Sequence, residues 1–384
     1  MHDLPTTGVE AGQPSTDCDA ARADWLRLSL VAGIGPRHLR QLLDHFETAA
    51  AVLDASRTEL QRVPGIGPKL SRAIAEARES IDATAELELC RTNHIDLVTL
   101  TDASYPRMLR ELADPPPMLF VRGHLSSADL LAVAIVGSRH CTPYGRAQAR
   151  RLAAGLARAG LTVVSGLARG IDAEAHRGAL EGGGRTLAIL GGGLLKLFPP
   201  EHAELAAEVA QHGAVVSEFP PRMEPQPGYF PQRNRVISGL SLGTIVVEAS
   251  ERSGALITAR HAYEQNREVF AVPGPVDSRA SRGPHALIRD GARLVATVDD
   301  VLEELGPLVE AVPTGDGLEV HRPAELQLND TERAVLAAVG TQATAIDTVA
   351  AESGLPLPRV LATLSVLESR RVVRRLSGQA VVRV

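Results

Sequence analysis

Lysine is nearly missing from this 384-residue chain: of its 40 basic residues only Lys69 and Lys196 are lysines, and the rest are arginines. Aromatic residues are scarce at 3%, and cysteine is limited to Cys18, Cys90 and Cys141. Three cysteines spaced so widely form no metal-ligand pattern and read as reduced thiols. There is no excess of positive charge. A formal charge of −6 excludes a protein that is basic all over, so any contact with nucleic acid must come from a local patch. No apolar run approaches the ~20 residues needed to span a bilayer. The opening MHDLPTTGVEAGQPSTD lacks the basic-then-apolar order of a signal peptide. The expectation is a soluble, cytoplasmic protein with no membrane segment.

What is present is ordinary for a globular protein, with 44% hydrophobic and 22% charged residues, in a chain long enough for two or three domains. Residues 1–20 are rich in Gly, Pro, Ser and Thr and read as a disordered tail. Residues 21–95 read as a helical module with two similar turns, Ala32-Gly33-Ile34-Gly35-Pro36 and Pro64-Gly65-Ile66-Gly67-Pro68, each between apolar helical stretches as in a helix-hairpin-helix pair. Such turns serve either as phosphate contacts through free N–H groups at the next helix or simply as tight helix connections. Residues 96–129, with Asp114-Pro115-Pro116-Pro117, form a connecting segment.

Residues 130–305 repeat a strand–turn–helix pattern. The apolar runs are LLAVAIVG ending at Gly137, LTVVSG at Gly166, TLAILGGG at Gly193, AVVSE at Glu218, TIVVEAS at Ser250, EVFAVPG at Gly274 and ARLVAT at Thr297. Nearly continuous, β-branched runs suit a parallel sheet covered on both faces by helices, such as those expected at Tyr144–Ala159 and Ala255–Asn266. The fold class is therefore α/β, a Rossmann-like, doubly wound, mostly parallel sheet, whose ligands sit at the carboxyl ends of the strands. A Pro- and Gly-rich linker spans 306–326. Residues 327–384 read as three short helices followed by two β-like runs around Ser377-Gly378, the pattern of a winged helix, with Arg370, Arg371, Arg374 and Arg375 on or near its wing.

Three strand ends are phosphate-friendly. The first is Gly137-Ser138-Arg139, a small flexible turn before a helix with a charged fork beside it. The second is Ser165-Gly166-Leu167-Ala168-Arg169-Gly170-Ile171-Asp172, in which Asp172 reads as the N-cap of the following helix. The third is Gly191-Gly192-Gly193. The first turn is not GxGxxG, which disfavours a dinucleotide at that position. A loop carrying Phe230, Arg233, Asn234 and Arg235 is expected to complete a cationic rim, with two guanidinium groups two residues apart beside aromatic rings. Such a rim suits a short run of single-stranded nucleic acid, gripped at the phosphates while bases stack. No acid–base pair, metal cluster or nucleophile elbow competes with it in residues 217–274. Binding without a catalytic step, and without a cofactor, is the expectation.

Taken together, Gly137-Ser138-Arg139, SGLARGID at 165–172, FPQRNRVISGLS at 230–241, VVEAS at 246–250, SGALITA at 253–259 and VFAVPG at 269–274 resemble the DprA/Smf family of bacterial DNA-processing proteins. The resemblance covers the whole length. It implies a recombination mediator of natural transformation that binds and protects incoming single-stranded DNA, helps displace single-strand-binding protein, loads RecA, and works as a homodimer built through the Rossmann-like domain. It implies no enzyme activity. Carried over by motif, Arg139 and Arg169 are the principal phosphate-binding residues. Gly137, Ser138, Ser165, Gly166 and Gly170 line the same pocket, Phe230, Arg233, Asn234 and Arg235 form its rim, and Lys196 and Phe198 stand nearby. The sequence departs from the family where an Asp and a Tyr-Pro are usual after the third-strand glycines, having Lys196 and Phe198-Pro199, and at His202 in place of a usual Asn. Two other readings compete. Ser241-Leu242-Gly243-Thr244-Ile245-Val246-Val247-Glu248 partly matches the PGGxGTxxE motif of nucleotide phosphoribohydrolases, with Glu248 one residue late; such a shift in a strand turns the side chain to the opposite face. A nucleotide-sensing or protein-binding Rossmann module is the other.

Overall fold

The computed structural model describes residues 16–306, 312–313, 319–320, 330–340, 344–369, 373–376 and 380–383. Most of the expected tail and of the 306–326 linker, together with Arg370 and Arg371 and the side chains of Arg374 and Arg375, lies outside them. The chain forms two compact units, 1–102 with 114–119 and 103–113 with 120–384.

In the first unit, helices Pro36–Phe46 and Pro68–Ala75 each begin directly after a Gly-Ile-Gly turn, with Pro in the first helical turn. Proline is well placed there, because that turn's N–H has no intrahelical partner to lose. Trp25, Leu26, Leu39, Leu42, Val52 and Ile74 are buried in this module. Strand β1 (Asp96–Thr99) follows it.

The second unit is built on a central sheet. Its strands are β2 (Met118–Gly123, in this unit from Phe120 on), β3 (Ala132–Val136), β4 (Thr162–Ser165), β5 (Thr186–Leu190), β6 (Ala214–Ser217), β7 (Gly243–Val246), β8 (Glu268–Ala271) and β9 (Arg293–Leu294). From β2 onward the spatial order is β2-β6-β5-β4-β3-β7-β8-β9. All neighbours from β6 to β9 pair in parallel, and β2 pairs with β6 antiparallel. Strands β3, β4 and β5 are buried at every position, as their unbroken apolar runs require. The ARLVAT run yields only the two-residue edge strand β9. Helices Pro143–Arg158 and Ile171–Glu181 pack together over one face, where Leu152, Leu156, Ile171 and Ala175 join Val133, Val163, Phe270 and Leu305 in one core.

Near the C-terminus, helices Asp330–Ala337, Ile346–Ser353 and Leu357–Ser369 accompany strands β12 (Thr344–Ala345), β13 (Val373–Leu376) and β14 (Ala380–Arg383); the two-residue strands β10 (Val312–Pro313) and β11 (Glu319–Val320) precede them. The order β12-β14-β13 is antiparallel throughout, and Val335, Val349, Val360, Leu364, Leu367, Val373 and Val381 form its own core. This is a winged-helix arrangement.

Candidate nucleic-acid interface

The chain leaves β3 for β4, β5 and β6 toward one edge of the sheet and returns to β7 on the other side of β3. A crevice opens at the carboxyl ends of the strands where this order reverses. A cleft of about 570 Å³ occupies it, within the usual size range of a ligand site.

The turn after β3 is fixed from the end of β7. The Ser138 N–H donates to the Glu248 carbonyl (2.7 Å), and the Glu248 carboxylate accepts from the Thr142 N–H (2.8 Å) and the Thr142 hydroxyl (2.6 Å). Thr142 in turn caps helix Pro143–Arg158. Both oxygens of the buried Glu248 are thus committed to holding the turn, away from the cleft lining, which removes the carboxylate that a phosphoribohydrolase reading needs. The turn after β4 abuts the first. Gly170 has φ 79, and a Cβ there would collide with the Ser138 carbonyl oxygen. A Cβ on Gly166 would overlap the Arg233 guanidinium. Glycine is what lets both turns and this cation share one crevice.

Along the cleft runs a row of two rings flanked by two cations. The Arg139 guanidinium lies 5.0 Å from the Phe230 ring centroid, the Phe230 and Phe198 rings are 5.9 Å apart, and the Arg169 guanidinium lies 5.9 Å from the Phe198 ring. Arg139 is exposed and has no ion pair among the described residues. Arg169, also exposed, is paired through Nε with Glu201 at 2.5 Å. Beneath the row lies Arg233, buried, its Nη1 donating to the Ile189 carbonyl. Burial brings the Arg233 guanidinium down to about 10, with Asp172 pulling it back up, so it is cationic at neutral pH. Burial likewise pushes the Asp172 carboxyl up from its ordinary value, opposed by Arg233, by N–H groups of the turn and by Arg139.

Several expectations are corrected here. The segment with Phe230, Arg233, Asn234 and Arg235 is a helix, Tyr229–Gly239, not a loop. An α-helix turns by about 200° over two residues, so Arg233 and Arg235 cannot share a rim. Arg235 is buried on the far side against Glu218 at 2.5 Å. Phe230, Arg233, Asn234 and Ile237, spaced i, i+3, i+4 and i+7, face the cleft instead. Asn234 ties its helix to the next one through a 3.2 Å bond from Nδ2 to the Gly254 carbonyl. Asp172 is not an N-cap. Gly170 holds that position, and Asp172 lies within the first turn, accepting from the Ala168 N–H at 3.4 Å. The Ser165 hydroxyl donates to the Ile135 carbonyl (2.7 Å) and is buried between strands. Lys196 is paired with Glu224 at 2.7 Å.

Thus the cleft lining brings together Gly137, Ser138, Arg139, Phe198, Phe230, Arg233 and Asn234; a smaller pocket that shares Arg139, Phe198, Phe230 and Arg233 adds Gly166 and Arg169, and Ser165, Gly170, Lys196 and Arg235 line neither. Sequence reasoning missed Pro227, Ile237, Ser253, Gly254, Ala255 and Thr258 as lining residues; the last four belong to the SGALITA run at the start of helix Gly254–Glu264. Among the described residues no group of three or more His, Cys, Asp or Glu side chains is placed to hold a metal ion, and no helix is long and apolar enough to cross a membrane.

Comparison with known proteins agrees with this architecture. The profile of the family described as DNA recombination-mediator protein A matches residues 96–306, that of the DprA winged helix domain matches 319–379, and that of the SAM-like helix-hairpin-helix tandem matches 26–80. Protein Smf of Synechocystis sp. is 35% identical over 94% of this chain and 98% of its own length, and Protein Smf of Escherichia coli is 40% identical over 90% and 91%. The crystal structure of DNA processing protein A from Streptococcus pneumoniae superposes with a TM-score of 0.66 at 35% identity, covering 74% of this chain and 97% of that one. DNA processing protein A from Helicobacter pylori, whose structure is described for its single-stranded DNA binding mode, gives a TM-score of 0.50 at 31% identity over 55% and 96%.

Proposed function

Because the chain belongs to the DprA/Smf family of DNA-processing proteins, we propose that it is a recombination mediator that takes single-stranded DNA into the cleft at the ends of β3, β4 and β5. The observation that carries this reading is the row Arg139–Phe230–Phe198–Arg169. Guanidinium groups offer planar, bidentate contacts to phosphate, and the intervening rings offer faces on which bases stack without regard to sequence. A mononucleotide would use one end of such a row; a short strand would use all of it. In this reading Arg139 and Arg169 take phosphates, Gly137, Ser138 and Gly166 allow close approach of the backbone, Phe198 and Phe230 stack, and Arg233 and Asn234 form the floor. Gly170 acts through the fit of the two turns. The protein then protects incoming DNA, assists displacement of single-strand-binding protein and loads RecA, acting as a homodimer and carrying out no catalytic step of its own. The commitment of Glu248 to Thr142 favours this over a hydrolase.

The test is fluorescence anisotropy with labelled oligo(dT) and unlabelled duplex competitor. Wild-type protein is expected to bind the single strand and to resist the duplex. Arg139→Glu with Arg169→Glu, both exposed positions, is expected to abolish binding while circular dichroism and thermal melting stay as in the parent. Undiminished binding by the folded double variant overturns the site.

A further inference from the structure

Within the row of cations one member is already occupied. Glu201 holds Arg169 through Nε at 2.5 Å, and both side chains are about half exposed, at 48% and 52%. The carboxylate does not reach this position by chance of a long side chain. Glu201 sits in the short turn Pro200–His202, and that turn grips the β4 turn at neighbouring points. The ring of Phe198 lies under the Arg169 guanidinium, and the His202 Nδ1 donates to the carbonyl of Leu167 at 2.9 Å. Donation to a carbonyl requires the proton on Nδ1, which fixes the tautomer. Leu167 itself is held at φ 55, an uncommon conformation for a bulky residue, just two positions before Arg169. The backbone that carries Glu201 is therefore anchored to the backbone that carries its target. Arg139, the other exposed cation of the row, has no such partner among the described residues.

Resting on the single-stranded DNA reading above, we propose that Glu201 is a built-in stand-in for phosphate: it occupies Arg169 in the DNA-free protein, and DNA binds by exchanging that carboxylate for one of its own phosphates. An exposed carboxylate–guanidinium pair is a weak clasp, so a phosphate held in place by stacking at Phe198 and contact with Arg139 displaces it. A nucleotide that reaches only Arg169 gains nothing from those neighbours and competes poorly with a tethered carboxylate. The exchange thus sets a threshold that favours strands over mononucleotides. The hydrogen bond from Arg169 holds the Glu201 carboxyl below its ordinary range, so the competitor stays charged at neutral pH.

The experiment is oligo(dT) binding by full-length Glu201→Gln across a salt series, with dTMP as the mononucleotide probe. The expected result is an affinity for oligo(dT) roughly 3- to 10-fold higher at low salt, a log–log salt slope changed by less than about 0.3, since Arg169 neutralises the same phosphate in both proteins, and a larger relative gain for dTMP. In an Arg169→Ala background the same substitution is expected to change oligo(dT) affinity by less than about 2-fold, since the competitor then has nothing to mask. Unchanged or weaker binding by Glu201→Gln overturns the proposal, as does a gain that persists without Arg169, which would mark simple long-range repulsion. Failure of the wild-type protein to bind oligo(dT) at all would instead sink the functional reading on which the proposal stands.

Discussion

Arg233 and Arg235 leave the same helix in nearly opposite directions, and the difference decides their chemistry. Arg233 borders the cleft; Arg235 is shut in with Glu218, their side chains 6% and 3% exposed. Removing one partner of a buried ion pair strands the other charge away from water, typically at about 3–5 kcal/mol. Arg235→Ala is therefore expected to lower the free energy of urea unfolding by about 3 kcal/mol, while Arg139→Ala, at an exposed position with no ion pair among the described residues, is expected to change it by less than about 0.5 kcal/mol and to weaken DNA binding instead. Equal stability of Arg235→Ala and the parent would refute the division. Arg139 and Arg169 were legible in the sequence because each follows an apolar strand run by a few residues. The burial of Arg235 was not, since Glu218 lies 17 residues away and is brought to it only by the fold.

The helix Tyr229–Gly239 was hidden at the level of elements. Pro231 falls in its first turn, where it removes no intrahelical bond, and Gly239 is its last residue, so neither interrupts it. Its signal lay in the spacing of residues 230, 233, 234 and 237. By contrast the sheet strands were legible because burial on both faces demands continuous apolar runs. The helix Ile171–Glu181 makes a buried polar contact with the sheet, through His176. The Thr186 hydroxyl donates to the Val163 carbonyl (2.7 Å) and so accepts from His176 Nδ1–H (2.7 Å), leaving His176 Nε2 buried without a partner. A second proton there would meet no acceptor. Burial first, then repulsion by His202, Arg233 and Arg177, takes the His176 imidazole from 6.5 down to about 3. The folded pKa is depressed, so between these values the unfolded chain binds more protons. Stability is complete above pH 6.5 and falls as the pH drops toward 3, with a slope from this one group of up to about 1.4 kcal/mol per pH unit. His176→Asn, which keeps an N–H for Thr186, is expected to flatten the loss of stability between pH 6.5 and 4 in urea titrations. An unaltered pH profile would show that His176 is not the group responsible.

At the scale of the whole molecule, charge argues for a confined grip. The chain carries −6 overall, and among the described residues three cations, Arg139, Arg169 and Arg233, line the cleft and the pocket adjoining it. The module order was readable from composition breaks and turn chemistry, but the count of cations that reach the cleft was not. Sequence reading placed Lys196 and Arg235 among them, and Glu224 and Glu218 claim both. Because counterion release scales with the phosphates actually neutralised, the two pictures differ in a measurable slope. With three cations facing a single strand, log affinity for a short oligo(dT) is expected to fall against log salt with a slope of about −2; five would give about −3.5, and a chain acting through a broad basic surface would be steeper still. Lys196→Ala is expected to leave that slope unchanged, whereas Arg139→Ala is expected to make it shallower by about 0.7. A slope near −3.5 that drops on loss of Lys196 would mean that DNA draws this lysine away from Glu224 and that the grip extends beyond the cleft. A slope near −2 that responds only to the cleft arginines would mean that an acidic protein holds single-stranded DNA with three guanidinium groups and two rings.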